Sequence, residues 1–249
     1  MAAPTGSLRR VIFDTLATAV LSPVLLVQAI NLRKRALRLP EAAGPRKVTQ
    51  GAGPPLRILI IGDSSAAGVG AQTQNDALAG QLSAALAPHH TVHWQLIAAT
   101  GATTTTTLAD LTAETLPNAD IVLVVLGVND VTRGGPKGRW LRTHAELRTL
   151  LRGKTGARHL YFSEIPPLGE FPLLPNPLRW LLGRRAVRFD AALRNVLRSE
   201  PDTSYVHLPD TLDASDMAED GFHPSPVIYS VWGKEMARRI LSDGPNSKP

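Results

Sequence analysis

The stretch DIVLVVLG, at residues 120–127, is apolar at six successive positions, from Ile121 to Leu126. A strand with one face in water alternates apolar and polar side chains, so an unbroken run predicts a parallel strand that is covered on both faces. Shorter runs of the same kind lie on both sides of it along the chain. They predict four further strands, at 57–62, 91–98, 159–165 and 204–208.

Segments with helical periodicity separate these strands. In the first of them leucines recur every four residues at 78, 82 and 86, and Asp76 stands where an N-cap is expected. The predicted helices cover 76–87, 104–114, 140–152, 178–198 and 227–241. Strand and helix alternate five times, which predicts an α/β fold with a doubly wound, five-stranded parallel sheet between two layers of helices.

Composition and charge exclude several classes of site. The 249 residues are 43% hydrophobic, which is enough for one α/β domain with an appendage. Cysteine is absent, which excludes disulfides, zinc–thiolate sites and a thiol nucleophile. The net charge of +6 comes from residues 1–50, which hold eight Lys and Arg against two acids, while the remainder is balanced. The predicted domain has no positive excess to bind a phosphate backbone, so we expect no nucleic-acid partner.

Residues 1–39 form an N-terminal arm that is basic and apolar. An apolar stretch of about bilayer-spanning length lies between Arg9-Arg10 and the cluster Arg33-Lys34-Arg35. Three interpretations are open: a membrane anchor or interfacial helix, a signal peptide cleaved near Val27-Gln28-Ala29, and a helix docked on the protein itself. The basic cluster after the stretch resists translocation. The sequence therefore favours a membrane surface bound through residues 9–38, and a membrane-associated or cytoplasmic protein over a secreted one.

Residues 40–55, PEAAGPRKVTQGAGPP, are rich in proline, glycine and alanine and show no apolar period. This composition is typical of a linker. We therefore expect the folded domain to comprise residues 56–249.

Polar and glycine-containing segments follow three of the predicted strands directly, and another stands before the last predicted helix. In a doubly wound sheet, ligands bind beyond the carboxyl ends of the strands, so these segments are expected to meet at one edge. They are Gly62-Asp63-Ser64-Ser65 after the first strand, Gly101 after the second, Gly127-Val128-Asn129-Asp130 after the third, and Asp220-Gly221-Phe222-His223-Pro224 before the last helix.

This set contains the groups that acyl transfer by a serine requires. Ser64 is a nucleophile if His223 removes its proton, and Asp220, three residues before the histidine, can fix the tautomer of the imidazole. The backbone N–H groups of Ser64 and Gly101 and the side-chain amide of Asn129 are candidate donors to an oxyanion. Structural alternatives are open for each: Ser64 as a helix cap, Asp220 with His223 as a cap of the last helix, and Asn129 in an Asx-turn.

The blocks GDSS at 62–65, Gly101, GVND at 127–130 and DGFHP at 220–224 resemble those of the SGNH (GDSL-type) hydrolase superfamily, in the same order and over most of residues 56–242. The resemblance implies a flavodoxin-like three-layer αβα fold and ester hydrolysis without a metal or other cofactor. It implies that Ser64 is the nucleophile, His223 the base and Asp220 its acid partner, with an oxyanion hole formed by Ser64, Gly101 and Asn129.

Two residues of the first block need separate interpretation. Ser65 stands where the family name has leucine, and the resemblance assigns the nucleophile to Ser64 instead. Asp63 is expected to be structural and to bond local backbone groups. Three histidines, His93, His159 and His207, fall in predicted strands without metal-ligand spacing and are also expected to be structural.

The segment IPPLGEFPLLPNPLRWLLG, at 165–183, follows the fourth predicted strand and is rich in proline and large apolar residues. It is interpreted either as an apolar wall or lid of the substrate pocket or as a loop buried against the core. The candidate pocket residues are Leu168, Phe171, Leu173 and Leu174.

The sequence thus predicts a serine carboxylester hydrolase whose partners are small-molecule acyl esters of short to medium chain length. Two alternatives stay open. One is an acyl or acetyl transferase, or a deacetylase, that acts on a glycan or lipid. The other is a membrane-tethered binding module without turnover.

Overall fold

The computed structural model describes residues 5–208 and 213–243, except the side chains of residues 5–15 and 214. The predicted arm residues 1–4, the basic side chains of Arg9-Arg10 and the last six residues of the predicted domain lie outside this description. The strands are β1 Lys47–Gln50, β2 Pro55–Gly62, β3 Thr91–Ala98, β4 Ile121–Val125, β5 His159–Ser163 and β6 Thr203–Val206. The helices are α1 Thr5–Arg35, α2 Leu78–Leu86, α3 Thr104–Ala113, α4 Val128–Thr132, α5 Lys137–Thr155, α6 Leu178–Leu197 and α7 Pro226–Ser242.

The strands form one sheet in the order β1-β3-β2-β4-β5-β6. All neighbours are parallel except β1, which is antiparallel to β3. β4 is buried at all five positions, as its sequence predicts, and its register sets Ile121 opposite Ile58 of β2. The predicted α/β fold with a doubly wound parallel sheet is confirmed, but the sheet has six strands instead of five.

The sixth strand corrects the prediction that residues 40–55 are a linker. Lys47–Gln50 pairs with β3, and Val48 lies opposite Trp94. Before this strand, the Ala42 N–H donates to the carbonyl of Ala67, and the Glu41 carboxylate accepts hydrogen bonds from Thr100. Four strand residues are too few to show a period, and the prolines and glycines flank them without interrupting the pairing. Residues 41–50 therefore belong to the domain.

Alternate side chains of the strands pack on opposite faces of the sheet, since the side-chain period of a strand is two. On one face, Ile58 and Ile60 of β2 pack in a core with residues of α2 and α7. On the other face, Leu59 and Ile61 pack in a core with residues of α3, α5 and α6. These two layers of helices leave the carboxyl edge of the parallel strands open for a site.

One predicted helix start is wrong. α2 begins at Leu78 with Ala77 as its N-cap, and no side chain caps it. The carboxylate of Asp76 instead accepts the hydroxyl of Thr73 at 2.6 Å.

The N-terminal helix α1 packs on the domain along one side. Leu25 is buried in the core that α6 shares, and Leu21 and Leu32 pack against it. The window Leu16–Arg35 is long and apolar enough to cross a membrane, and 6% of it is buried. It is the one candidate span among the described residues.

Candidate active site

β2 ends in a tight turn that places Ser64 at the carboxyl edge of the sheet. Gly62 is required there, because a Cβ would lie 2.7 Å from the carbonyl oxygen of Val125. The Asp63 N–H donates to the same carbonyl, and the Asp63 carboxylate accepts the N–H of Ser65 at 2.9 Å. The prediction that Asp63 bonds local backbone groups is confirmed.

The loop before α7 brings Asp220 and His223 to this edge. One oxygen of the buried Asp220 carboxylate accepts the backbone N–H groups of Phe222 and His223, each at 2.9 Å. The other oxygen lies 2.5 Å from the His223 Nδ1. Burial alone would raise the pKa of Asp220, but the hydrogen bonds from the His223 ring and the two backbone N–H groups outweigh it and lower the pKa. Asp220 is thus an ionised carboxylate that orients His223.

His223 joins this loop to the turn after β2. Its Nε2 lies 2.9 Å from the Ser64 Oγ. With Nδ1–H donating to Asp220, the Nε2 atom is the acceptor for the Ser64 hydroxyl, so the three side chains form one chain of hydrogen bonds. Neither Ser64 nor the pair Asp220 and His223 is a helix cap, which was the structural alternative for them. Ser225 caps α7, and α2 begins fourteen residues after Ser64.

Two contacts fix the turn and the loop relative to each other. Gly70 has a φ of +98°, and a Cβ there would lie 2.2 Å from the Pro224 carbonyl oxygen. The fully buried Tyr229 donates its hydroxyl to the Val69 carbonyl at 2.7 Å. The Ser64 turn therefore packs directly against the residue that follows His223.

The candidate oxyanion donors lie beside the same turn. Gly101 follows β3, and its carbonyl accepts a guanidinium N–H of Arg133 at 2.6 Å. The Asn129 amide donates to the Ala102 carbonyl at 3.0 Å and to the Asp63 carboxylate at 3.4 Å. Within the described residues, the backbone N–H groups of Ser64 and Gly101 donate no hydrogen bond, so both have donor capacity left for a ligand.

Two buried carboxylates support these loops. Asp130 accepts the N–H and the hydroxyl of Thr104 and thereby holds the first turn of α3. Burial raises its pKa, against the hydrogen bonds from Thr104. Burial also raises the pKa of Asp63, to about 7, and the nearby Asp130 carboxylate adds to that effect.

A cavity of about 470 Å³ opens beside Ser64. Most of its wall is apolar and comes from four different loops and from α6 and α7. The apolar lining residues are Val125, Leu126, Val128, Ile165, Pro166, Pro167, Phe171, Val187, Leu208, Met217, Phe222, Pro224, Ile228 and Trp232.

The predicted pocket segment is divided between the cavity and the core. Phe171 lines the cavity and packs edge to face on Phe222 at a centroid distance of 5.3 Å. Leu168 and Leu174 are buried in the core with α6, and the half-buried Leu173 bonds through its N–H to the Gly221 carbonyl. Both interpretations of the segment therefore hold, each for different residues.

The cavity is also lined by charged residues that were not among the predicted site residues. Glu164 pairs with His207, and Asp190 accepts the hydroxyl of Tyr205 at 2.5 Å. Burial raises the pKa of Glu164 to about 7, although the facing His207 opposes the rise. His207 follows β6 instead of lying within it, so its interpretation as a strand residue was wrong. Glu164 and His207 each come directly after a strand. The same position after a strand indicated Ser64 and Asn129 as site residues, so it could have indicated this pair as well.

No group of three or more His, Asp and Glu side chains in residues 5–208 and 213–243 is arranged to hold a metal ion.

A profile of the GDSL-like lipase/acylhydrolase family matches residues 60–231, from β2 to the first turns of α7. The chain belongs to this family. The predicted resemblance is confirmed, and membership assigns the chain to a class of carboxylic ester hydrolases. The matched residues include the Ser64 turn and the Asp220–His223 loop.

One curated relative and two solved structures are similar to this chain. A multidomain esterase from Ruminococcus flavefaciens is 27% identical over 133 residues, which are 51% of this chain and 17% of the length of that relative. A psychrotrophic esterase, EstA, from Pseudoalteromonas sp. superimposes with a TM-score of 0.56 at 21% identity, over 75% of this chain and 97% of the other. A family 3 carbohydrate esterase from Clostridium thermocellum gives 0.57 at 15% identity, over 76% and 96%. At these identities the two structures show that the fold is shared.

Proposed function

We propose that the protein is a serine carboxylester hydrolase in which Ser64, His223 and Asp220 act as a catalytic triad. The observation that carries the proposal is the chain of hydrogen bonds from Asp220 through His223 to the Ser64 hydroxyl, at 2.5 Å and 2.9 Å. A serine hydroxyl needs an adjacent base, and the base needs a partner that fixes its tautomer. The three side chains have this arrangement, and Ser64 lines a cavity that is large enough for an ester.

The reaction follows from these contacts. The Ser64 Oγ attacks the ester carbonyl carbon while its proton passes to the His223 Nε2, and Asp220 stabilises the resulting imidazolium. The carbonyl oxygen becomes an oxyanion, which the N–H groups of Ser64 and Gly101 are proposed to bind, together with the Asn129 N–H that otherwise makes only the long 3.4 Å contact to Asp63. When the intermediate collapses, the alcohol leaves with the proton from His223. Water then repeats the sequence on the acyl-enzyme and releases the acid and Ser64.

The cavity supports esters with short to medium acyl chains as substrates. Its volume of about 470 Å³ lies within the usual range for small-molecule pockets, and most of its wall is apolar. Acetylated sugars are a second candidate class of substrate, because a family 3 carbohydrate esterase shares the fold. Transfer of the acyl group to a glycan or lipid uses the same acyl-enzyme, with a hydroxyl in place of water.

The experiment that tests the proposal is an ester panel with matched serine variants. Purified protein is assayed on p-nitrophenyl acetate, butyrate, octanoate and palmitate and on an acetylated xylooligosaccharide. We expect hydrolysis of the shorter esters, a loss of about 10³-fold or more in Ser64→Ala, and retention of most activity in Ser65→Ala. The reverse result for the two serines overturns the assignment. Absence of turnover together with absence of labelling by a fluorophosphonate identifies a binding module, and an added acceptor that outcompetes water identifies a transferase.

The N-terminal helix supports association with a membrane, which we propose together with the enzymatic function. Its apolar window and the basic residues that follow it fit a lipid surface better than water.

A further inference from the structure

α1 has two faces of different character on opposite sides of the helix. One face is a docking seam in which Leu21, Leu25, Gln28 and Leu32 recur at helical spacing, and Leu25 is 9% exposed. Gln28 fixes this seam, since its Nε2 donates to the Asn176 carbonyl at 2.6 Å and its Oε1 accepts the N–H of Leu178 at 3.1 Å. The first turn of α6 thus obtains a hydrogen-bond acceptor from α1.

The other face of α1 is apolar and in contact with solvent. Val20 is the most exposed of its large residues, at 77%. No charged residue occurs between Asp14 and Arg33, and the hydroxyl of Ser22 bonds to the carbonyl of Ala19 within the helix. The exposed apolar residues of this face are Leu16, Val20, Val24, Leu26, Val27 and Ile30. A continuous apolar face of this kind marks an interaction surface.

The surroundings of this face are basic. The helix ends in Arg33-Lys34-Arg35, Arg38 follows, and all four side chains are exposed. Basic residues at the end of an apolar helix face are typical of proteins at the surface of an anionic bilayer.

We infer that α1 lies in the headgroup region of an anionic membrane with its apolar face towards the acyl chains, while its docking seam stays on α6. The helix does not cross the bilayer in this arrangement. Once residues 21–32 are docked, only the part of the chain before them could cross the bilayer, and that part carries the charged residues Arg9, Arg10 and Asp14, which are costly to place in hydrocarbon. A crossing helix would have to break both hydrogen bonds of Gln28.

The seam connects the membrane surface to the cavity beside Ser64. Asn176, which Gln28 binds, belongs to the segment 165–183, and Ile165 and Phe171 of this segment line the cavity. A lipid-bound α1 is therefore in contact with the segment that forms part of the cavity wall. This consequence rests on the esterase function proposed above: esters dissolved in the membrane are the substrates that the docked helix would bring to the cavity.

Vesicle flotation of the full-length protein tests the inference, and its readout does not depend on catalysis. We expect binding to vesicles of phosphatidylcholine with 30% phosphatidylglycerol, weaker binding to phosphatidylcholine alone, and further weakening with salt. The double variant Val20→Asp/Val27→Asp should bind at least tenfold more weakly. Leu241→Asp is the matched control, because Leu241 is an exposed apolar residue of α7, and it should bind as wild type. Failure of the wild type to float with anionic vesicles overturns the inference.

Single cysteines distinguish a helix that lies on the membrane from one that crosses it. The chain has no cysteine, so Ser22→Cys and Val27→Cys each carry one fluorescent label at an exposed position of α1, on different sides of the helix. For the docked helix, lipids with a quencher in the acyl chain should quench the label at residue 27 severalfold more than the label at residue 22. Equal quenching of both labels indicates a crossing helix and contradicts the inference. A wild-type dimer that Val20→Asp/Val27→Asp converts to a monomer, without vesicle binding, assigns the face to a second copy and also contradicts it.

Discussion

The Nε2 atom of His223 lies 2.9 Å from the Ser64 hydroxyl oxygen, although the two residues are 159 positions apart in the chain. The contact depends on two loops that meet at the carboxyl edge of the sheet, one after β2 and one before α7. A hydrogen bond between residues so far apart in the chain forms only if both loops are fixed in position. The close approach of Gly70 to Pro224 and the hydrogen bond from Tyr229 to Val69 fix them. The site is therefore sensitive to changes in the loops as well as in the three side chains.

Asp220→Asn should lower kcat by about 10²–10⁴-fold with little change in stability. The amide carbonyl can still accept the two backbone N–H groups, but its NH₂ faces Nδ1 and favours the tautomer in which Nε2 carries the proton. That tautomer cannot accept the Ser64 proton. The measurement is kcat on p-nitrophenyl butyrate. Asp216→Asn, in the same loop but without a contact to His223, should keep wild-type activity, and equal losses in both variants would argue against an orienting role.

Asn129→Ala should lower kcat by about 10²–10³-fold and change KM little, because an oxyanion donor acts mainly in the transition state. The exposed Asn118 at the opposite end of β4 provides the control, and Asn118→Ala should leave both constants unchanged. If Asn129→Ala raises KM while kcat stays the same, the amide binds the ground state and is not an oxyanion donor.

Gly70→Ala should lower both the melting temperature and kcat. At a φ of +98° a Cβ is strained, and here it would also meet the Pro224 carbonyl oxygen at 2.2 Å and displace the residue next to His223. Gly134→Ala is the matched control, since Gly134 also has a positive φ, of +83°, but a Cβ there has no neighbour within 4 Å. It should cost about 1 kcal/mol of stability and leave kcat intact. Equal kcat in the two variants would contradict the proposed role of the contact.

Phe171→Ala should shift the preferred acyl chain towards greater length, because Phe171 lines the cavity. Leu174→Ala removes a side chain of the same segment that is buried in the core instead. It should lower the free energy of unfolding by about 2–5 kcal/mol without changing the chain-length preference. The ratio of kcat/KM for octanoate and acetate esters measures the preference, and a similar shift in both variants would mean that the cavity wall is misassigned.

The free energy of unfolding should fall as the pH rises from about 4.3 to about 7, in part because of Glu164. Its pKa is raised to about 7 in the folded protein, so over this window the unfolded state binds fewer protons and stability declines with pH. Urea denaturation at intervals from pH 4.5 to 8 measures the slope. Glu164→Gln should flatten it, and an unchanged slope in this variant would contradict the contribution of Glu164. The free energy of unfolding of Glu164→Gln should still fall with pH to a smaller extent, because the pKa of Asp63 is also raised to about 7 in the folded protein.

Strongly periodic segments and glycine-rich strand ends could be predicted from the sequence. The parallel strands and the main helices follow from local patterns, whereas the roles of Ser64, Asp220 and His223 followed from their combination and from the resemblance to a known family. The antiparallel strand β1 could not, because four residues carry no period and its partner lies more than forty residues away. The pairing of Glu164 with His207 could not be predicted either. It depends on β5 and β6 being neighbours in the sheet, and local sequence does not show the order of strands.

Gln28 shows a different limit. In the sequence it appears as an interruption of an apolar stretch, which weakens the case for a membrane helix. In the structure it is the residue that attaches α1 to a partner 148 positions away. The polar side chain signals an interaction, but only the fold identifies the partner.

Residues 41–50 determine where the chain can be shortened. β1 covers the outer edge of β3, and Glu41 bonds to Thr100 in the turn that carries Gly101. A protein that begins at residue 51 would present a bare strand edge to its neighbours, a surface on which other chains can pair and aggregate. A protein that begins at residue 40 would lose the lipid-facing helix and keep this edge covered. The second truncation, and not the first, separates catalysis from membrane attachment.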